Sequence, residues 1–336
     1  LGLDFGFFGN SLQFTADYFY KRTDGMLIEM PVPTYLGESK PWGNVGSMSN
    51  PGVELDLSYR YSIGDFNFSV GANAAYIKTL LINAGNESGI LDRGSVHQMG
   101  TIIRGENGQP FPYFYGYKTD GVFQNWDEVN SYVGPDGKRI QPDAVPGDLR
   151  FVDQNGDGLI DTDNDRTIIG KCAPDWTYGL HASAEWKGID FSMVWQGVAG
   201  NKIFDATRRT DIPTMNQPKY VLNRWTGEGT SNTQPKFMFE SANNNYRASD
   251  LWVEDASFLR ARNVQLGYTI PQKWTKKIAI QRLRIYAQAE NLFTLTKYVG
   301  CDPEVTGGNG FSSDLGIDRG VYPQSRTFSV GVNLNF

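Results

Sequence analysis

The sequence predicts an all-β fold, part of an antiparallel transmembrane β-barrel with long extracellular loops and short periplasmic turns. Three observations predict it. From Phe328 onward, apolar residues alternate with small or polar ones through Val330, Val332 and Leu334, and the chain ends on Phe336. Successive side chains of a strand point to opposite faces, so this segment has one greasy and one wet face, as a strand between lipid and lumen requires. In a second segment, Trp176, Tyr178, Leu180, Ala182, Ala184 and Trp186 share one face, opposite Thr177, Gly179, His181, Ser183 and Glu185. Aromatics at both ends with aliphatics between are the two interfacial girdles of a barrel, read along one strand. Third, short and long connections alternate strictly.

Nine segments carry the period-two pattern, each close to the length a tilted barrel strand needs. In order they run Leu1–Phe7, Leu12–Tyr20, Val53–Tyr61, Phe66–Tyr76, Trp176–Trp186, Ile189–Trp195, Val264–Ile270, Leu283–Ala289 and Phe328–Phe336. Tight turns at Gly9-Asn10, Ile63-Gly64 and Lys187-Gly188, and a modest connection over Pro271–Ile280, all fall on the side where Phe336 ends. The long segments Arg22–Gly52, Ile77–Pro174, Val198–Ser257 and Phe293–Gln324 fall on the other. Ile77–Pro174 has room for one more hairpin, with Phe114–Phe123 as the better candidate strand. An odd strand number and two free edges do not suit a bilayer, where every backbone polar group needs a partner, so further strands are expected before Leu1.

Composition narrows the class. Apolar residues are 40% of the chain, mean hydropathy is -0.42, and no run approaches the roughly 18 apolar residues of a membrane helix. Barrel strands alternate, so low average hydropathy leaves them untouched. Net charge is -6 with no basic stripe, which argues against a nucleic-acid partner. Cys172 and Cys301 are too few for a disulfide scaffold; they could form one bridge, and read rather as two unpaired thiols.

The sharpest local motif is Asp153-Gln154-Asn155-Gly156-Asp157-Gly158-Leu159-Ile160-Asp161. Side-chain oxygens of Asp153, Asn155, Asp157 and Asp161, with the Leu159 carbonyl and a glycine at the sixth position, match a calcium loop, where alternate oxygens converge on a hard cation. Asn164 stands where such loops carry a bidentate Glu, with Asp163 and Asp165 beside it. The alternative is a turn that caps itself with Asx hydrogen bonds. A calcium ion here would be structural; no cofactor is otherwise required. No nucleophile elbow, zinc spacing or phosphate loop appears, and His97 and His181 read as a loop and a lumen-facing residue, so no catalytic residue is expected. Asp302/Glu304 and Glu254/Asp255 have the composition of a glycosidase carboxylate couple but read as solvated loop charges. Trp42, Trp126, Trp225, Trp252 and the run Phe111–Tyr117 lie in outer segments; they pack the loops together, or Trp126, Trp225 and Trp252 stack on substrate.

Several longer motifs resemble one family. Asn44-Val45-Gly46 leads to Asn50-Pro51-Gly52-Val53-Glu54-Leu55, and Phe114-Tyr115-Gly116-Tyr117-Lys118-Thr119-Asp120-Gly121-Val122-Phe123 follows. Then come Gly147-Asp148-Leu149-Arg150-Phe151, the Asp153 loop, Asp165–Gly170, Gln196–Asn201, Val253–Arg260, Ala289–Phe293 and Gly320–Pro323. In this order they resemble the SusC/RagA-like TonB-dependent outer-membrane transporters, along nearly the whole chain but over only the C-terminal part of the family's pattern. The resemblance implies a barrel of about 22 strands, whose N-terminal strands, TonB box and plug are not among residues 1–336. It also implies a SusD-like surface lipoprotein that captures glycans or peptides, energy delivered through TonB, and a terminal Phe336 strand that looks like the signal read by the barrel assembly machinery.

The expected function is therefore TonB-dependent active import of an oligomeric nutrient across the bacterial outer membrane, with a glycan favoured and a peptide as the other cargo. The rivals are a passive porin and a secreted β-sandwich that binds carbohydrate. The sandwich requires Trp176, Leu180, Trp186, Val330 and Leu334 to lie beneath a second layer, whereas the barrel leaves them facing lipid.

Overall fold

The computed structural model describes residues 1–30, 41–97, 99–209, 212, 214–238, 241–305 and 315–336. Four strands open the chain: β1 (Gly2–Phe7), β2 (Leu12–Glu29), β3 (Trp42–Ile63) and β4 (Phe66–Ile77). A run of short elements follows, β5 (Leu80–Asn83), β6 (Ile90–Ser95), β7 (Thr101–Glu106), β8 (Tyr113–Tyr117), β9 (Thr119–Val122), α1 (Trp126–Ser131), β10 (Leu149–Phe151) and β11 (Arg166–Lys171). Then come β12 (Trp176–Trp186), β13 (Ile189–Ala199), β14 (Lys202–Asp205), β15 (Val253–Asp255) and β16 (Phe258–Thr269). The chain closes with α2 (Gln272–Thr275), β17 (Arg282–Glu290), β18 (Thr294–Thr296), β19 (Ile317–Asp318) and β20 (Thr327–Asn335).

The nine segments with period-two patterning form one continuous antiparallel wall, ordered β1-β2-β3-β4-β12-β13-β16-β17-β20. Its register keeps the two faces apart. Leu57, Ala72, Leu180 and Trp195 stand in one row across four strands, and Ser58, Gly71, His181 and Val194 in the next. A slip of one residue would send a whole apolar set to the wet face, so the alternation itself fixes the pairing. At the outer end Tyr18, Val53, Tyr76 and Trp176 align, and at the turn end Ile63, Phe66, Trp186 and Ile189. Between these rows the apolar face is uncovered: Trp176 and Leu180 are each 42% exposed, Trp186 50%, Val330 80% and Leu334 46%. No second layer lies on it among the described residues, which removes the sandwich. Within these residues β1 and β20 are the edges of the wall and do not pair with each other.

Two expectations change. Arg22–Gly52 is not a loop from end to end, because β2 and β3 stay paired from Leu12↔Tyr59 out to Glu29↔Trp42. Hydropathy alternation fades beyond Tyr20 because polar residues interrupt it and only Met26, Ile28 and Val45 remain to pack against Leu81, Ala84 and Leu91, while backbone pairing continues to satisfy its amides and carbonyls. Residues 31–40, its tip, lie outside the described residues. Phe114–Phe123 is not one strand: it covers β8 and β9, which belong to different small sheets. Its apolar residues fill a local core instead of a membrane face.

That core belongs to an outer cap built from the long connections. The sheets β11-β8-β7-β6, β10-β9 and β15-β14-β19 carry it, around Phe114, Phe204 and Ile317 with Trp252 against them, all essentially buried. Tyr117, Val122, Leu149 and Phe151 form a second cluster.

Candidate functional site

Two surfaces carry polar groups in number, the polar face of the wall and the cap above it. Along β4 and β12 the polar face carries small side chains, and His181 lies flat across Gly71, where a Cβ would run into the imidazole. Tyr286 crosses Gly331 in the same way. Glycine opposite a large group keeps the wall thin on that side. A groove of about 580 Å³ on this face is lined by Asp17, Glu54, Asp56, Asn73, Thr177 and Gln196 among others. A second, of about 670 Å³, runs toward the turns past Ser62, Asn67, Ser69, Ser183 and Ser192.

Charge on this face is uneven. Asp17 and Glu54 are direct cross-strand partners, an arrangement that costs stability. Asp56 follows two residues on, and Asp4 accepts a 2.6 Å hydrogen bond from Thr15. At the other end of the wall the charges are paired. Arg284 donates to Asp190 at 2.9 Å and to Gln265 at 2.8 Å, and Gln265 donates to Gln288 at 3.1 Å.

Where the wall meets the cap, a register shift between Val194 and Trp195 accompanies two arginines, Arg260 and Arg262, on the polar side of β16. A bulge re-aims side chains in this way. Arg260, 2% exposed, donates to Asp302 at 2.6 Å, to Glu304 at 2.9 Å and to Thr294 at 2.8 Å. Arg262 donates to Glu304 and to Gln196 and Asn291. Asp302 and Glu304 are therefore not solvated charges but clamp the base of the last long connection to the wall. Burial works against the Asp302 charge, yet amides of Gln324 and Glu304 and the Arg260 guanidinium hold its carboxyl below the usual range. The signal available in sequence was Arg260 and Arg262 on the same parity as the apolar Val264, Leu266 and Tyr268, two charges that only a bulge can turn to the polar side.

In the cap, Asp205 and Asp318 are partners in the parallel pair β14 and β19 and are both nearly buried. Tyr220 donates to Asp205 at 2.6 Å and Tyr298 donates to Asp318. Glu254 stands beside them, its carboxyl raised by burial first and then by the Asp205 and Asp318 charges, against the Val299 amide. It too is no solvated charge.

The 153–165 loop folds on its own side chains. Asp153 accepts from the amides of Gly156 and Gly158 at 2.7 Å each, Asn155 from Asp157 at 3.1 Å and Asp157 from Leu159 at 2.9 Å. Asp161 accepts from Asn164 and Asp163, and the Asn164 side chain above all lowers its carboxyl. Asp165 turns inward and takes the amides of Gln154 and Asp161. Among the described residues, no group of three or more His, Cys, Asp and Glu side chains gathers as a metal centre.

Of the three tryptophans that either pack the loops or stack on substrate, Trp252 is 2% exposed within the cap core. Trp225 is half-buried, its ring over Gly147 and its Nε1 donating to Gln124 at 3.2 Å. Trp126 alone is open, 53% exposed at the start of α1, which Asn125 caps. Phe336 is exposed beyond β20, and both cysteines are free thiols.

Comparison with known proteins is consistent with this architecture. The family model described as "TonB dependent receptor-like, beta-barrel" matches residues 1–292. The chain is 31% identical to "TonB-dependent receptor P3" of Formosa agariphila, over all of this chain and 33% of that protein. It is 28% identical to "TonB-dependent receptor SusC" of Bacteroides thetaiotaomicron, over all of this chain and 31% of that one. Among solved structures, "Structure of the RagAB peptide transporter" superposes with a TM-score of 0.74 at 26% identity, covering all of this chain and 34% of its own. The chain thus spans about a third of the length of these relatives.

Proposed function

The chain belongs to the TonB-dependent receptor-like β-barrel family, and from that premise we propose that it is the C-terminal barrel portion of an importer that moves an oligomeric nutrient across the bacterial outer membrane. The observation that carries this reading is the uncovered apolar face between two aromatic rows, backed by a polar face wide enough for cargo. Energy enters through TonB, which contacts a part of the protein outside residues 1–336, and a SusD-like surface lipoprotein closes over the cap. The Phe336 strand serves the barrel assembly machinery.

Cargo divides into two readings. A glycan suits the open Trp126 ring and the half-open Trp225 ring, since aromatic faces stack on apolar faces of sugars. A peptide is supported by the likeness to the RagAB peptide transporter. Uptake by the full-length protein separates both from a porin. Import that stops when TonB is deleted supports the proposal; diffusion at an unchanged rate overturns it. Among active cargoes, Trp126→Ala should weaken glycan uptake and leave peptide uptake unchanged.

The 153–165 loop is proposed to take a structural calcium ion through Asp153, Asn155, Asp157, the Leu159 carbonyl and Asp161. Calorimetry with calcium, wild type against Asp157→Ala, tests this; equal heats remove the site.

A further inference from the structure

The apolar face of the wall is not evenly packed. Midway between the outer and inner aromatic rows it holds a groove of about 410 Å³. Its low line is set by Ala72 on β4 and Ala182 on β12, small residues on diagonal positions of adjacent strands. Leu57 and Val70 rise on one side, Met193 and Trp195 on the other. Trp195 is held upright: Phe293 meets its ring edge-on at 5.0 Å, and its Nε1 lies 3.3 Å from the Met193 sulfur. Leu295 on β18, paired with Leu259, extends that side toward the cap. The lining is almost wholly carbon, so the groove offers nothing to a polar ligand and excludes water.

We propose that this groove seats one acyl chain of a membrane lipid, as a defined site on the barrel exterior. The inference rests on the family's seat in a membrane and is independent of which cargo is imported. Three features commit the groove to that occupant. It opens on the face that lipid covers. Leu180 lies four residues from Trp176 of the outer row and Ala182 four from Trp186 of the inner, at the depth of hydrocarbon. Its sides are long aliphatic and aromatic chains over an alanine floor, a shape that a flexible chain of methylenes fills and a rigid ring does not. A wall without such a trench would present lipid with uniform, interchangeable contacts, whereas here one chain gains van der Waals packing on its floor and both sides.

The test uses the full-length protein in vesicles of a phospholipid whose acyl chain carries a photoreactive diazirine at its middle, with adducts mapped by mass spectrometry. Adducts at Met193 and Leu180 should exceed those at Leu266, also on the apolar face, roughly tenfold, which corresponds to about 1.4 kcal/mol. Ala182→Phe fills the floor and should bring Met193 labelling down to the Leu266 level. Leu295→Ala removes part of one side and should lower it severalfold, which keeps the test alive if the phenylalanine variant fails to fold. Even labelling along the face, or Met193 labelling indifferent to both substitutions, overturns the proposal.

Discussion

The wall and the cap use similar residues to opposite ends. Leu180 and Trp186 in the wall are 42% and 50% exposed, whereas Phe204 and Trp252 in the cap are 0% and 2% exposed. In the wall, apolar side chains contribute little packing to one another, and the backbone ladder with its register holds the structure while lipid supplies the solvent. In the cap, packing holds short strands that would not stand alone. The difference predicts which substitutions each region tolerates.

The largest effect should fall in the cap. Phe204→Ala removes a fully buried ring that meets Phe114 at 5.8 Å and Trp252 at 6.3 Å, at a cost of about 3–5 kcal/mol. Hydrogen exchange should show the amides of β7, β8 and β14 opening while those of β12 and β13 stay protected. Equal loss in both regions would mean that they are one cooperative unit. Next, Leu180→Arg places a charge on the apolar face at mid-wall and should cost about 2–4 kcal/mol, against near zero for Ser183→Arg on the polar face. Denaturant titration in lipid vesicles measures both, and equal costs would refute the assignment of faces. Smaller again is Asp302→Asn, which keeps the shape but leaves Arg260 short of a charged partner, at about 1–3 kcal/mol. Limited proteolysis should then cut the connection after β18 faster, with the wall intact.

Legibility in the sequence followed the same division. All nine wall strands were readable, because a two-faced environment stamps period two on each of them. The upper half of the β2–β3 hairpin was not, since its few apolar residues, Met26, Ile28 and Val45, pack into a local cluster with Leu81 and Leu91 and leave no run of period two. The cap was hidden for a different reason. Its strands are two to six residues long, too short for periodicity, and Tyr113, Phe114, Tyr117 and Trp252 look identical whether they stack on a ligand or fill a core. Acidic pairs misled in a related way. Asp302 and Glu254 sit in loops by sequence, yet their partners lie 42 and 45 positions away, in Arg260 and Val299, and no local pattern encodes such distances.

Glu254 gives the finest test of the comparison, because it titrates in the cap and so reports on that region. Burial raises its folded pKa above the unfolded value, and the Asp205 and Asp318 charges add to the rise. Its contribution to stability is therefore fully present below the unfolded pKa and is lost as pH rises through the folded one. Asp302, whose folded pKa is lowered, has the opposite sign: its contribution is present above the unfolded pKa and lost as pH falls through the folded value. Glu254→Gln should remove the first dependence and keep the second. Near neutral pH it should stabilise the cap slightly, by no more than about 0.5 kcal/mol once solvent screening is discounted. The readout is cap hydrogen exchange from pH 4 to 8, an interval bracketing the usual carboxylate range. A variant whose profile matches wild type would show that the Asp205–Asp318–Glu254 group is solvated in the full protein, and would weaken the contrast between a dry cap and a lipid-facing wall.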